Sequence, residues 1–115
     1  MNIEEFREYC LLKKGVTEGF PFDDVTLVLK VGGKMFALLS LDGEPTANLK
    51  CDPEKAIGLR ETFSAIIPGY HMSKKHWNTL QLGGPLTDTL VCELIDHSYN
   101  LVYDSLPRKV KNEIE

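Results

Sequence analysis

The chain has 115 residues, 43% hydrophobic and 26% charged, a profile that fits one globular domain with its own core and excludes a disordered or fibrous protein. Thirteen Lys and Arg against 17 Asp and Glu leave a net charge of −4, the wrong sign for a protein whose whole surface binds nucleic acid. No apolar run reaches membrane-spanning length, the start Met1-Asn2-Ile3-Glu4-Glu5 is acidic where a secretory leader is basic, and Cys10, Cys51 and Cys92 include no Cys-x-x-Cys, so we expect a cytoplasmic protein with reduced thiols and no membrane association, disulfide framework or zinc knuckle.

Asn2 and Glu5 form a capping pair ahead of Ile3, Phe6 and Cys10 at helical spacing, and Lys13-Lys14-Gly15 closes the segment, so a helix is predicted over residues 3 to 14. Gly19-Phe20-Pro21-Phe22-Asp23-Asp24 then breaks the period. Residues 26 to 31 and 34 to 41 are β-rich and joined by Gly32-Gly33, the signature of a tight hairpin with Val31 opposite Lys34. Counting outward from that loop puts Leu27, Leu29, Val31, Phe36 and Leu38 on one face. Val28, Met35, Ala37, Leu39 and Leu41 fall on the other, with Thr26 and Lys30. Both faces are apolar, so the second should be covered too, by Phe20 and Phe22 or by a partner chain.

Asp42-Gly43-Glu44-Pro45 is a turn, and residues 46 to 51 alternate Ala47, Leu49 and Cys51 against Thr46, Asn48 and Lys50 as a third strand with one polar face. Asp52-Pro53-Glu54 opens a helix predicted over 53 to 63. Ile66-Ile67-Pro68-Gly69 reads as ending in a turn, and residues 70 to 72 and 77 to 82 as short strands. From Thr87, the register Leu90, Val91, Leu94, Ile95, Ser98, Leu101 and Val102 marks a long amphipathic helix ended by Leu106-Pro107, and the charged tail 108 to 115 is expected to be frayed or weakly helical. The fold class is therefore α+β: one domain, α-βββ-α-ββ-α, with an antiparallel sheet of about five strands packed on helices.

The functional signal lies between Pro68 and Thr79, in a stretch from Glu61 to Asp88 that has no Asp or Glu between its ends. Lys74, Lys75 and His76 could clamp phosphates, with Tyr70 and Trp77 as stacking faces and Asn78 beside them. Equally, Trp77 could anchor the core while the lysines form a solvated turn. Lys30, Lys34 and Lys50 cannot all extend one patch, because Lys30 and Lys34 project to opposite faces. His71 and His76 are five residues apart without a nearby carboxylate, so no metal is expected, and His71 reads as structural and His97 as a partly exposed polar residue. Cys51 precedes an N-cap, where a helix dipole could activate it, but it shares the parity of Ala47 and Leu49 and is expected to be buried and inert. With no nucleophile elbow, phosphate loop or carboxylate pair, neither a catalytic residue nor a cofactor is expected.

The blocks Phe20-Pro21-Phe22-Asp23, Gly33-Lys34-Met35-Phe36-Ala37, Asn48-Leu49-Lys50-Cys51-Asp52-Pro53, Gly69 to Thr79 and Leu94-Ile95-Asp96-His97-Ser98-Tyr99 closely resemble, in this order, the MmcQ/YjbR family. The resemblance covers nearly the whole chain. It implies a CyaY-like fold, also grouped with secretion-chaperone-like folds, and a DNA-binding role inferred from likeness to a double-wing domain. The expected function is thus a non-catalytic binding domain, with DNA or another nucleic acid as first candidate partner. The alternative is a protein or peptide interaction module, or a homodimer, using the sheet and hairpin surface.

Overall fold

The computed structural model describes residues 1–114. Its elements are α1 (Ile3–Leu11), β1 (Val16–Gly19), β2 (Thr26–Val31), β3 (Lys34–Ser40), β4 (Thr46–Lys50), α2 (Pro53–Thr62), β5 (Ile66–Pro68), β6 (Trp77–Gln81), α3 (Asp88–Ser105) and α4 (Arg108–Ile114). The strands form one sheet in the order β1-β2-β3-β4-β6-β5, and each neighbouring pair is antiparallel. Phe6 and Cys10 of α1 and Val91, Leu94, Ile95 and Val102 of α3 pack on one face of that sheet, around Leu29, Phe36, Leu39 and Leu49. The fold class is the α+β domain expected, with two elements more than the sequence suggested.

The extra strand is β1, which runs from Val16 opposite Val31 to Gly19 opposite Val28. Val-Thr-Glu-Gly offers one apolar residue and no alternation, so only pairing with β2 makes it a strand. Residues 66 to 68, not expected as a strand, form β5 before the chain turns at Tyr70; Pro68 is tolerated because β5 is at the sheet edge. Residues 70 to 72, expected as a strand, instead form a turn in which His71 takes φ +60. α1 ends at Leu11, and Gly15 supplies a left-handed turn (φ +73) into β1. The tail forms α4, whose Ile114 lies against Gly15 and whose Val110 lies against Gly32, where a Cβ would be 2.7 and 2.9 Å from them.

Where the sequence carried explicit end signals, the structure uses them. The Asn2 side chain accepts the Glu5 N–H at 2.8 Å while the Glu5 carboxylate accepts the Asn2 N–H at 3.0 Å, a complete capping box. Asp52 caps α2 through the Lys55 N–H, with Pro53 in the first turn. Gly32 and Gly33, at φ +58 and +81, make the two-residue hairpin loop with Val31 opposite Lys34.

The hairpin faces differ from the simple count. Leu29 pairs with Ala37 and the next residue, Lys30, pairs with Met35, so Phe36 is an extra residue in β3: a β-bulge. Beyond it the parity of β3 reverses. Phe36, Ala37 and Leu39 all enter the helix-side core, and Leu38 crosses to join Val28 on the outer face. The irregular ladder is repaired from α3: Ser98, fully buried, accepts the Lys50 N–H at 3.0 Å and donates to the Phe36 carbonyl at 2.5 Å.

Candidate functional site

The outer face of the sheet carries Thr26, Val28 and Lys30 from β2, Met35, Leu38 and Ser40 from β3, and Thr46, Asn48 and Lys50 from β4. Cover for this face comes from within the chain. Trp77, at the start of β6, lies over Val28 and Leu38 with only 8% of its surface exposed, and Met35 and Met72 pack around it. The cover expected from Phe20 and Phe22 is supplied chiefly by Trp77; both phenylalanines remain exposed.

Between this cluster and the loop before β2 is a cleft of about 490 Å³. Phe22 and Asp23 form one wall, and Tyr70, His71 and Met72 another. Leu38, Thr46 and Asn48 line it from the sheet. The second wall is pinned from below. Thr79 Oγ1 accepts the Tyr70 N–H at 2.9 Å and itself donates to Asn48 Oδ1, while Asn48 Nδ2 donates to the Tyr70 carbonyl at 3.4 Å. Tyr70 is 65% exposed, and its ring meets that of His71 at 4.0 Å between centroids, tilted by 53°. The first wall is set by Asp23, whose carboxylate accepts the N–H groups of Val25 and Thr26 and the Thr26 hydroxyl, which hold its pKa below the usual carboxylate range.

The six residues singled out in sequence do not form one surface. Tyr70 stands at the cleft rim, and Lys74, Lys75 and His76 occupy the exposed turn that leads from it into β6. Trp77 and Asn78 begin β6 and are buried on opposite faces. Trp77 offers no stacking face to solvent. Asn78, 2% exposed, accepts from Arg60 Nη1 at 3.1 Å and donates to the Ala56 carbonyl at 3.4 Å, so its amide is committed to holding α2 and cannot read a ligand. Arg60 also donates to the Lys74 carbonyl at 2.8 Å and Lys74 Nζ to the Gly69 carbonyl at 3.2 Å, which fixes the turn. Gly69 is required there: a Cβ would sit 2.8 Å from that of Trp77. Lys30 and Lys50 share the outer face, and Lys34 does not.

Asn48, Thr79, Phe22 and Met72 were not candidates, although the polar parity of Thr46, Asn48 and Lys50 already marked a strand face without core partners. Away from the cleft, His97 Nε2 accepts the Asp52 N–H at 3.1 Å, and burial, then Lys55, lower its pKa. Cys51 is buried as expected and burial raises its thiol pKa. Cys10, fully buried, is pushed up to about 12 by desolvation. Among the described residues no group of three or more His, Cys, Asp or Glu could hold a metal ion, and no helix is long and apolar enough to cross a membrane.

The YjbR family model matches residues 11–101. The uncharacterized protein YbdF of Escherichia coli O157:H7 is 41% identical over 96 residues, covering 83% of this chain and 79% of its own. The uncharacterized protein YjbR of Escherichia coli K12 is 34% identical over 110 residues, 95% and 93% of the two chains. The crystal structure of the Deinococcus radiodurans protein DR2400, with a DUF419 domain, superposes with a TM-score of 0.91 at 37% identity over 98% of this chain and 87% of that one. A Pseudomonas syringae protein superposes at 0.79 with 30% identity, over 89% and 99%.

Proposed function

Starting from a chain that belongs to the YjbR family, we propose that it acts by binding and not by catalysis, and that its ligand is a nucleic-acid strand held along the turn Lys74-Lys75-His76. One observation carries this reading. Three consecutive basic residues are exposed on a turn that Arg60 and Trp77 anchor, inside a stretch without a single carboxylate, on a protein that is otherwise acidic. A fixed cationic turn needs little ordering to meet a phosphate backbone, and such contacts release counterions. The loss of Trp77 and Asn78 from the surface confines this contact to a few phosphates, so binding should be weak, about 10⁻⁴ to 10⁻⁶ M at physiological salt, and tolerant of sequence.

The test is fluorescence anisotropy with a labelled single strand and a labelled duplex over a salt series. Replacing Lys74 and Lys75 together by Ala should flatten the log K against log salt slope by roughly 1 to 2, while Lys109→Ala, outside the carboxylate-free stretch, should leave it alone. Binding that ignores the double variant would remove this site. A second reading, a protein partner or second copy, is favoured by the exposed side chains of Phe20, Phe22, Val25 and Leu41 around the other wall of the cleft. Absence of any nucleic-acid binding at low salt would move that reading to first place.

A further inference from the structure

We infer that the outer-face cleft receives one unstacked base of a single strand whose phosphates lie on the Lys74-Lys75-His76 turn, so that the protein prefers single-stranded over duplex nucleic acid. The inference rests on the nucleic-acid reading above and adds to it the class of strand and the seat of the base. At about 490 Å³ the cleft has the size of small-ligand pockets, about 300 to 1,000 Å³. Its chemistry is mixed in the way a nucleobase is mixed. Phe22, Leu38 and Met72 give apolar surface for a ring, and Thr46 brings a hydroxyl to where the edge of that ring would lie, beside the Asn48 amide that Thr79 and Tyr70 hold in place. An aliphatic side chain of a partner protein would leave the Thr46 hydroxyl facing carbon.

Charge sets the direction of entry. Asp23 and Asp24 stand on the wall before β2 and repel a phosphate, whereas the opposite wall, Tyr70 to Met72, continues directly into the cationic turn. A strand laid along that second wall therefore points its bases inward and its backbone outward. Tyr70, largely exposed and in contact with the His71 ring, offers the stacking face that buried Trp77 cannot. A base paired in a duplex is stacked on both sides and cannot enter.

The experiment compares a dT strand with an abasic strand of equal length, by anisotropy at low salt. The native protein should bind the dT strand about 5- to 150-fold more tightly, the worth of stacking one base. Thr46→Trp, a substitution β4 should tolerate, fills the cleft; with a native circular-dichroism spectrum, it should erase that ratio. As a measurement that needs no variant, thymidine alone should shift the amide resonances of Asn48, Met72 and Thr79. Equal affinity for the two strands with the salt dependence intact would overturn the base seat and leave the cationic turn standing. Failure to bind either strand would overturn both, and a Thr46→Trp protein that keeps the ratio, or thymidine shifts elsewhere, would place the base outside this cleft.

Discussion

Trp77 was open to two interpretations in the sequence, because an indole beside Lys-Lys-His suits a stacking platform as well as a core anchor. Its location over Val28 and Leu38 decides for packing, and the reason lies one strand away: the bulge at Phe36 brings Leu38 to the outer face, where it and Val28 need a large apolar cover. Counting parity from the Gly32-Gly33 loop could not reveal this, since an inserted residue leaves no mark in a run as uniformly apolar as Met-Phe-Ala-Leu-Leu. Trp77→Ala should cost about 3 to 5 kcal/mol, and the native protein should emit in the blue-shifted range of a buried indole. Urea denaturation followed by circular dichroism checks the first figure. An unchanged midpoint would mean that the outer face holds together without its cover.

At the scale of elements, helix starts were legible and sheet edges were not. Asn2 with Glu5, and Asp52 with Pro53, state their caps in side chains that act within three residues, so each could be located by inspection. β1, β5 and α4 depend on contacts with distant segments and were missed or misjudged for that reason. α2 adds a dependence on α3 that no local pattern announces, because the His97 ring accepts the Asp52 N–H. Nε2 must be unprotonated to do so, and burial, followed by Lys55, lowers the His97 pKa while Asp52 opposes more weakly. The unfolded chain, with His near 6.5, then takes up a proton more readily than the native one, so stability is held above that pH and lost as pH falls through and below it. His97→Gln keeps an acceptor and removes the titration. Its urea midpoint should change less than the native protein's between about pH 7.5 and about pH 5, and an identical change in both proteins would exclude His97 as the source.

For the whole molecule, the turns at Gly15 and Gly32 are where the first helix, the hairpin and the C-terminal helix meet. A Cβ on Gly32 would lie 2.5 Å from Leu106 as well as taking φ +58, whereas one on Gly33, at φ +81, would meet nothing within 4 Å. Gly32→Ala should therefore destabilise by more than about 1 kcal/mol and by more than Gly33→Ala, which bears the backbone strain alone. Thermal melts of the two variants measure the difference; equal losses would show that Leu106 and α4 yield freely. The same scale separates what composition could say of the site from what it could not. The carboxylate-free stretch was visible in the sequence and coincides with the exposed Lys74-Lys75-His76 turn, but the cleft beside it is assembled from β2, β3, β4, β6 and two loops, and only the folded sheet brings Phe22, Asn48 and Tyr70 together.

The Ser98 hydroxyl, which stands between the Lys50 N–H and the Phe36 carbonyl, links the two sides of the sheet by cause as well as by contact. It belongs to a core helix and touches nothing in the cleft, yet it satisfies the carbonyl of the inserted residue that decides whether Leu38 points outward. A register slip that expelled the insertion would withdraw the Phe36 carbonyl from Ser98 and turn Leu38 toward α3, taking the floor of the cleft with it. The shape of the outer face is thus written partly in a residue on the far side of the sheet, and a chain with a different residue at position 98 could keep every cleft residue and still present another surface.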